Sequence, residues 1–299
     1  MLKRKKHKYK EYDYEEAYKV QVETLNEYFI EEMLRNRTGG YVYATKEITA
    51  GNQFEVEIYP EFFRSKDIPV KDKKNSKGSS TAQRNFNDKK SRKEFERTLN
   101  TNFKAGDLWI TFTYDDAHYP ESIEKAIKDM TNYIRRINYK RKKIGLGNAR
   151  YMYVTEWISE DGECIRCHHH LVMDGELDMD TVESTWKCSK RVESRRIDYS
   201  EEHGLNGMAT YMTKVMTVQR RGRKSQKTWN ASKNLKRAVV KKNHYKFRKS
   251  KVQEMIRDRG KIEEYMQKQY PEYQYDHAEV RFNEINKMFY IYTRMRRRI

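Results

Sequence analysis

Period-two alternation is the strongest pattern in the chain. In DLWITFTYDD, Leu108, Ile110, Phe112 and Tyr114 fall on one side and Trp109, Thr111 and Thr113 on the other, as a half-buried strand requires. The segments ARYMYVTEWI and ECIRCHHHLVM predict two more strands, joined around SEDG as an antiparallel hairpin. YVYATKEITAGNQFEVEIYP reads as a hairpin turning at Gly51-Asn52, and HAEVRFNEINKMFYIYTRMRRR as another near the end of the chain. Helical spacing replaces alternation in PESIEKAIKDMTNYIRRINYKRKK, where Ile123, Ile127, Met130, Ile134 and Ile137 share a face, and in GLNGMATYMTKVM, where Leu205, Met208, Met212 and Val215 do. Further helices are expected over residues 15–35, 88–103 and 180–188, and over most of the basic stretch between 230 and 269, with a loop over 71–87. Strand, helix, strand, strand, helix with short hairpin links specifies an α+β fold around an antiparallel sheet.

Charge narrows the class of partner. Among 299 residues, 63 Lys and Arg face 44 Asp and Glu, a formal net charge of +19, so a polyanion is expected. The basic runs KRKKHKYK, QRRGRKSQK and KKNHYKFRKSK suit phosphate contacts; Arg220, Arg221, Arg223 and Lys224 are the candidate DNA-binding cations, with Trp229, Tyr245 and Phe247 as candidate stacking residues. No apolar run is long enough to cross a bilayer. Cys164, Cys167 and Cys188, odd in number and crowded together, argue against a disulfide framework and for a reducing cytoplasm. The chain is expected to comprise an N-terminal extension over 1–96, a core over 97–237 and a basic C-terminal segment over 238–299.

The densest chemistry lies in CIRCHHHLVMDGE. On a strand, His168 and His170 share one face while His169 points to the other. In the expected hairpin Glu156 falls roughly opposite His168, in an otherwise apolar face with Met152, Val154 and Ile158, where a lone carboxylate is costly. Two imidazoles and a carboxylate suit Mg²⁺ or Mn²⁺ in phosphate chemistry. Glu163 replaces Glu156 if the register differs by an odd step. A structural zinc site from Cys164, Cys167, Cys188 and a histidine is the rival, opposed by the extended Ile165-Arg166 between the first two thiols. In YMTK, Tyr211 and Lys214 are neighbours on a helix and flank its apolar stripe, able to lean over the groove that holds the histidines.

Taken in order, ITFTY (110–114), HHHLVM (168–173) and YMTK (211–214) resemble the three motifs of the HUH endonucleases, in the branch of rolling-circle replication initiators from plasmids and bacteriophages. The resemblance extends from about residue 42 to 237, with TWNASKNLKR similar to members from phages and mobile elements. It implies a central five-stranded antiparallel sheet flanked by helices, a divalent metal on His168, His170 and Glu156, Tyr211 as nucleophile and Lys214 as its assistant. The implied reaction nicks and rejoins single-stranded origin DNA, leaving a 5′-phosphotyrosine and a free 3′-OH. Three departures stand out: His169 occupies a position that is bulky and apolar in the family, the motif holds one tyrosine, and no G-x-x-x-x-G-K-[ST] is present. The implied partners are the origin duplex, its single strand, and a host helicase and polymerase, and a single tyrosine admits a transient homodimer. A single-tyrosine transposase shares the chemistry. A non-catalytic single-stranded nucleic-acid binder would explain the charge and the sheet without needing Tyr211, Lys214 or Glu156.

Overall fold

The computed structural model describes residues 17–35, 40–63, 81–158, 164–198, 204–214 and 227–298. Among them lie two five-stranded antiparallel sheets and seven α-helices, an α+β architecture. The chain divides into two units, one formed by Ala50–Asn52 and Asp88–Ala238 and the other by Met1–Thr49, Gln53–Asn87 and Val239–Ile299.

The unit built on 88–238 contains β3 (Leu108–Phe112), β4 (Tyr151–Ile158), β5 (Cys164–Met173), β6 (Val192–Arg196) and β7 (Asn230–Ala231) in the order β6-β3-β5-β4-β7. One sheet face carries Ile110, Phe112, Leu171 and Tyr153. It packs on Ala126, Met130, Tyr133 and Ile137 of α3 (Ile123–Lys143). That helix starts where Ser122 accepts a hydrogen bond from the Lys125 N–H, and its last turn gathers Lys140, Arg141, Lys142 and Lys143 at the negative end of the helix dipole. The opposite face carries Met152, Val154 and Val172. These meet Phe95 and Leu99 of α2 (Thr81–Asn102) and Ala209 and Met212 of α5 (Asn206–Thr213). The short α4 (Met179–Ser184) begins at Asp178, whose carboxylate accepts from the Thr181 N–H.

The other unit holds β1 (Tyr41–Ala50), β2 (Gln53–Phe62), β8 (Val239–Asn243), β9 (Tyr273–Asn283) and β10 (Met288–Arg297) in the order β8-β1-β2-β10-β9. The hairpins expected near either end of the chain therefore join in one sheet, with Ile58 opposite Ile291. Its core side gathers Phe54, Val56, Phe282 and Phe289 beneath Val252 and Met255 of α6 (Lys249–Arg257) and Ile262 and Met266 of α7 (Gly260–Gln269). Leu34 of α1 (Glu27–Arg35) joins the same core.

Several expected boundaries are corrected. α2 starts at Thr81, inside the stretch read as a loop, and the helix expected over 15–35 is interrupted by a 3₁₀ turn at Val22–Thr24 before α1. Residues 230–269 hold two strands before their helices. Ladder partners supply the order there: β8 is exposed at every position, so it carries no burial pattern, and it pairs Ile48 with Val240. α4 stops at Ser184, short of the expected 188, and the Thr185 hydroxyl at its end donates back to the Thr181 carbonyl at 2.6 Å.

A buried ion pair clamps the end of α3 to the turn after β5. Arg141 is 2% exposed, donates to Asp174 at 2.6 Å and to the Gly147 carbonyl at 2.6 Å, and also pairs with Glu176. Asp174 further accepts from the Arg150 N–H at 2.6 Å. Replacing one partner strands the other charge. Arg141→Met is expected to lower the unfolding free energy by about 3–5 kcal/mol in urea titrations, against less than about 0.5 kcal/mol for Tyr139→Ala at an exposed position of the same helix.

Candidate metal and nucleotide site

β5 presents His168 and His170 on the sheet face shared with Met152 and Val154, because side chains alternate along a strand. β4 pairs with β5 so that Glu156 stands directly opposite His168. On the other side, Thr111 of β3 stands opposite His170. The Glu156 carboxylate thus lies between the two imidazoles, Oε2 at 3.3 Å from His168 Nε2 and Oε1 at 3.7 Å from His170 Nε2. One ligand atom from each of the three residues falls within 4.8 Å of the others.

Hydrogen bonds fix how these groups face one another. His168 Nδ1 lies 2.9 Å from the Arg166 carbonyl. A carbonyl only accepts, so Nδ1 carries a proton; Nε2 faces Glu156, donating to the carboxylate when the ring is protonated and offering a ligand lone pair when it is neutral. His170 Nδ1 is 3.1 Å from the Thr111 hydroxyl. His170 Nε2 and Glu156 Oε1 are buried with no hydrogen-bond partner. Buried polar atoms are rarely left so. A cation between them would satisfy both, so the donor set and its two orphaned atoms fit a divalent metal. Burial holds the His170 imidazole down at about 4, outweighing the attraction of Glu156. For His168 burial acts in the same downward direction, but the hydrogen bonds to Glu156 and the Arg166 carbonyl prevail and raise it.

His169 points the other way, into the core. Its ring is fully buried, with Nε2 at 2.8 Å from the Tyr114 hydroxyl and Nδ1 at 2.9 Å from the Thr155 hydroxyl. The polar residue at this position is thereby satisfied on both nitrogens and takes no part in the pair on the other face. Cys167 shares its side, in the cluster with Tyr133 and Trp186. A thiol there cannot share an ion with His168 and His170, which removes the mixed cysteine-histidine arrangement for that residue. Glu163 lies outside the described residues.

α5 brings Tyr211 to the site. Leu205, Ala209 and Met212 are buried against the sheet, which leaves Tyr211 beside them, 42% exposed, at the helix edge. Its ring centroid is 5.1 Å from that of His170 and 5.7 Å from that of Trp109. Lys214, which caps the helix, holds its Nζ 4.7 Å from the Tyr211 ring centroid, and its positive charge opposes protonation of both His168 and His170. The structure therefore brings Glu156, His168, His170, Tyr211 and Lys214 together. A cavity of about 380 Å³ opens beside them, lined by Trp109, Thr111, His170, Arg195 and Tyr211 among others.

A model of the replication-associated protein ORF2/gene-2-protein family matches residues 107–270, more than half of the 299-residue chain. The chain belongs to that family. This replication-associated protein accordingly has DNA as its partner, and its matched region includes all five residues gathered above. No curated protein and no solved structure matches the chain. No described helix is long and apolar enough to cross a membrane.

The remaining sequence candidates are placed differently. Arg220, Arg221, Arg223 and Lys224 lie outside the described residues. Trp229 sets its ring edge-on to Phe95 at 5.5 Å and donates its indole N–H to Ser91, so it is tied to the α2 side of the core. Phe247 is buried in the other unit, whereas Tyr245 is 87% exposed. Trp109 and Arg195 were not singled out, although a large aromatic on the polar side of an alternating strand was the signal to follow.

Two measurements test this geometry. Mn²⁺ titrated into the protein by calorimetry should bind, and Glu156→Gln or His170→Ala should weaken that binding by at least about tenfold. In metal-free protein, burial pushes the His169 ring down to about 3, the charges of its two neighbours adding to the effect. The folded ring stays neutral while the unfolded one gains a proton below its ordinary value of about 6.5. Acidification from that value toward 3 therefore removes stability, by about 1.4 kcal/mol per pH unit. Urea titrations between pH 6 and pH 4 should show a shallower fall in His169→Phe than in the wild type.

Proposed function

We propose that the chain is a HUH-type rolling-circle replication initiator that nicks and rejoins single-stranded origin DNA with Tyr211 as nucleophile. One observation carries the reading: a buried carboxylate and two imidazoles with orphaned ligand atoms lie beside an exposed tyrosine, in a member of a replication-associated family. His168, His170 and Glu156 would hold Mg²⁺ or Mn²⁺. When bound, such an ion polarises phosphate oxygens and offsets the charge that develops on them.

The rest of the chemistry belongs to the chain. The Tyr211 hydroxyl attacks phosphorus as its proton passes to solvent; the new O–P bond forms as the bond to the 3′ oxygen breaks. That oxygen takes a proton and leaves as a free 3′-OH, with the 5′ side held as a phosphotyrosine. Lys214 stands 4.7 Å from the phenol ring, where its ammonium offsets phenolate charge and lowers the barrier to attack. Return attack by the 3′-OH rejoins the strand with no outside energy source. A host polymerase would extend the 3′-OH in the bacterial cytoplasm. A host helicase would part the strands. A second cut by the same mechanism calls for a second subunit or another nucleophile, hence a transient homodimer. The family match favours replication over the transposase reading.

Labelled single-stranded DNA from the protein's own replicon, incubated with Mn²⁺, should yield a protein–DNA adduct that survives denaturation and is lost in Tyr211→Phe or on chelation. Tight binding without any adduct would replace the nuclease reading with that of a binding module. For the basic segment, neutralising Arg220, Arg221, Arg223 and Lys224 together should flatten the slope of log affinity against log salt by up to about 3 on single strands, measured by fluorescence anisotropy.

A further inference from the structure

Next to Tyr211, on the side away from Glu156, the sheet presents a pair of residues that the proposed chemistry does not use. β6 pairs with β3 so that Arg195 stands opposite Trp109. The Arg195 guanidinium lies over the indole, 4.0 Å from the ring centroid. Among the described residues no carboxylate or other hydrogen-bond partner meets the Arg195 side chain. The Trp109 indole N–H is buried and has no hydrogen-bond partner. Both residues line the cavity that also reaches His170 and Tyr211.

We propose that Trp109 and Arg195 form the binding subsite for the nucleotide that adjoins the scissile phosphate. The inference rests on the reading of this site as one that takes single-stranded DNA. It follows from what the cavity offers. An orphaned indole N–H wants an acceptor, which a phosphate or base carbonyl oxygen supplies and an apolar ligand does not. A guanidinium without a carboxylate partner is a ready phosphate contact, and stacking on the indole holds its fork in one plane. Trp109 is half-buried and lines the cavity, where an aromatic ring offers a base a stacking surface whatever its sequence. The Tyr211 ring stands steeply inclined to the rings of both His170 and Trp109, at 72° and 64°. The nucleophile thus stands between the metal ligands and the subsite, as it must if the reacting phosphate and the next nucleotide of one strand occupy neighbouring positions. Glu193, the one acidic residue among the described lining, stands opposite Thr111, one alternate position along β6 from Arg195. Its charge keeps phosphate to the Arg195 end and leaves a carboxylate to accept from a base amino group at the other.

The test uses the full chain and a mixed-sequence single-stranded 12-mer, with affinity read by anisotropy in chelator, where no cutting can occur. Trp109→Ala is expected to weaken binding at least about fivefold, with Trp109→Phe, which keeps a ring but loses the N–H, in between. Arg195→Gln, an exposed change that spares the fold, should weaken binding and reduce the salt slope by about 0.7. Mn²⁺ affinity should stay at the wild-type value in Arg195→Gln and Trp109→Phe. Wild-type DNA affinity in all three variants overturns the subsite while leaving the nuclease reading intact. Loss of Mn²⁺ affinity in Arg195→Gln in step with DNA affinity would make the pair a prop for the metal ligands and overturn it as well. A wild-type protein that does not bind the 12-mer overturns both readings at once.

Discussion

Everything at the site depends on the register of one strand pair. β4 and β5 run antiparallel with Glu156 across from His168, and the side-chain period of two then places His170 and Val154 on the same face and His169 and Thr155 on the other. A slip by one residue would either carry the Glu156 carboxylate into the apolar layer against α3 or, if β5 is the strand that moves, turn His169 toward Tyr211 in place of its neighbours. The register is held from both faces, because each has its own hydrophobic layer: Tyr153, Leu171 and Met173 on one side, Met152, Val154 and Val172 on the other. A sheet buried twice cannot slide without exposing both layers.

The three consecutive histidines show how environment divides identical side chains. His169 has two hydroxyl partners, Tyr114 and Thr155, and no unmet need. His170 is almost as buried, yet only Nδ1 has a partner, and its Nε2 faces an equally orphaned Glu156 oxygen. The core on the α3 side is thus closed by protein groups alone. The other side retains polar atoms that no described residue completes and that a bound cation would.

Much of this was legible from alternation alone. The strand at Leu108–Phe112, the hairpin of β4 and β5, the pairing of Glu156 with the histidines and the apolar stripe of α5 all follow from periodicity. Such patterns register burial, and burial is what a sheet core imposes. Other elements carried no such mark. β8 is an exposed edge strand whose VVKKN has no inside to declare, and it is ordered by its ladder to β1. The first turns of α2 are rich in Asn, Gln and Thr and resemble a loop in composition. Trp109 was correctly placed on its face but its partner was not visible, since Arg195 lies 86 residues further along and meets it only through the β3–β6 ladder.

The order of the chain has a bearing on how the protein is made. The unit that carries Glu156, His168, His170 and Tyr211 is essentially one continuous stretch, Asp88–Ala238, whereas the other unit is split around it and closes only when β10 pairs with β2. Domains tend to fold as units during synthesis, and pairings distant in sequence form late. The candidate site can therefore be assembled on the ribosome while the first hairpin, β1 and β2, still waits with an open edge for strands not yet translated. During that interval the part of the molecule open to strand addition is a hairpin made before the site itself.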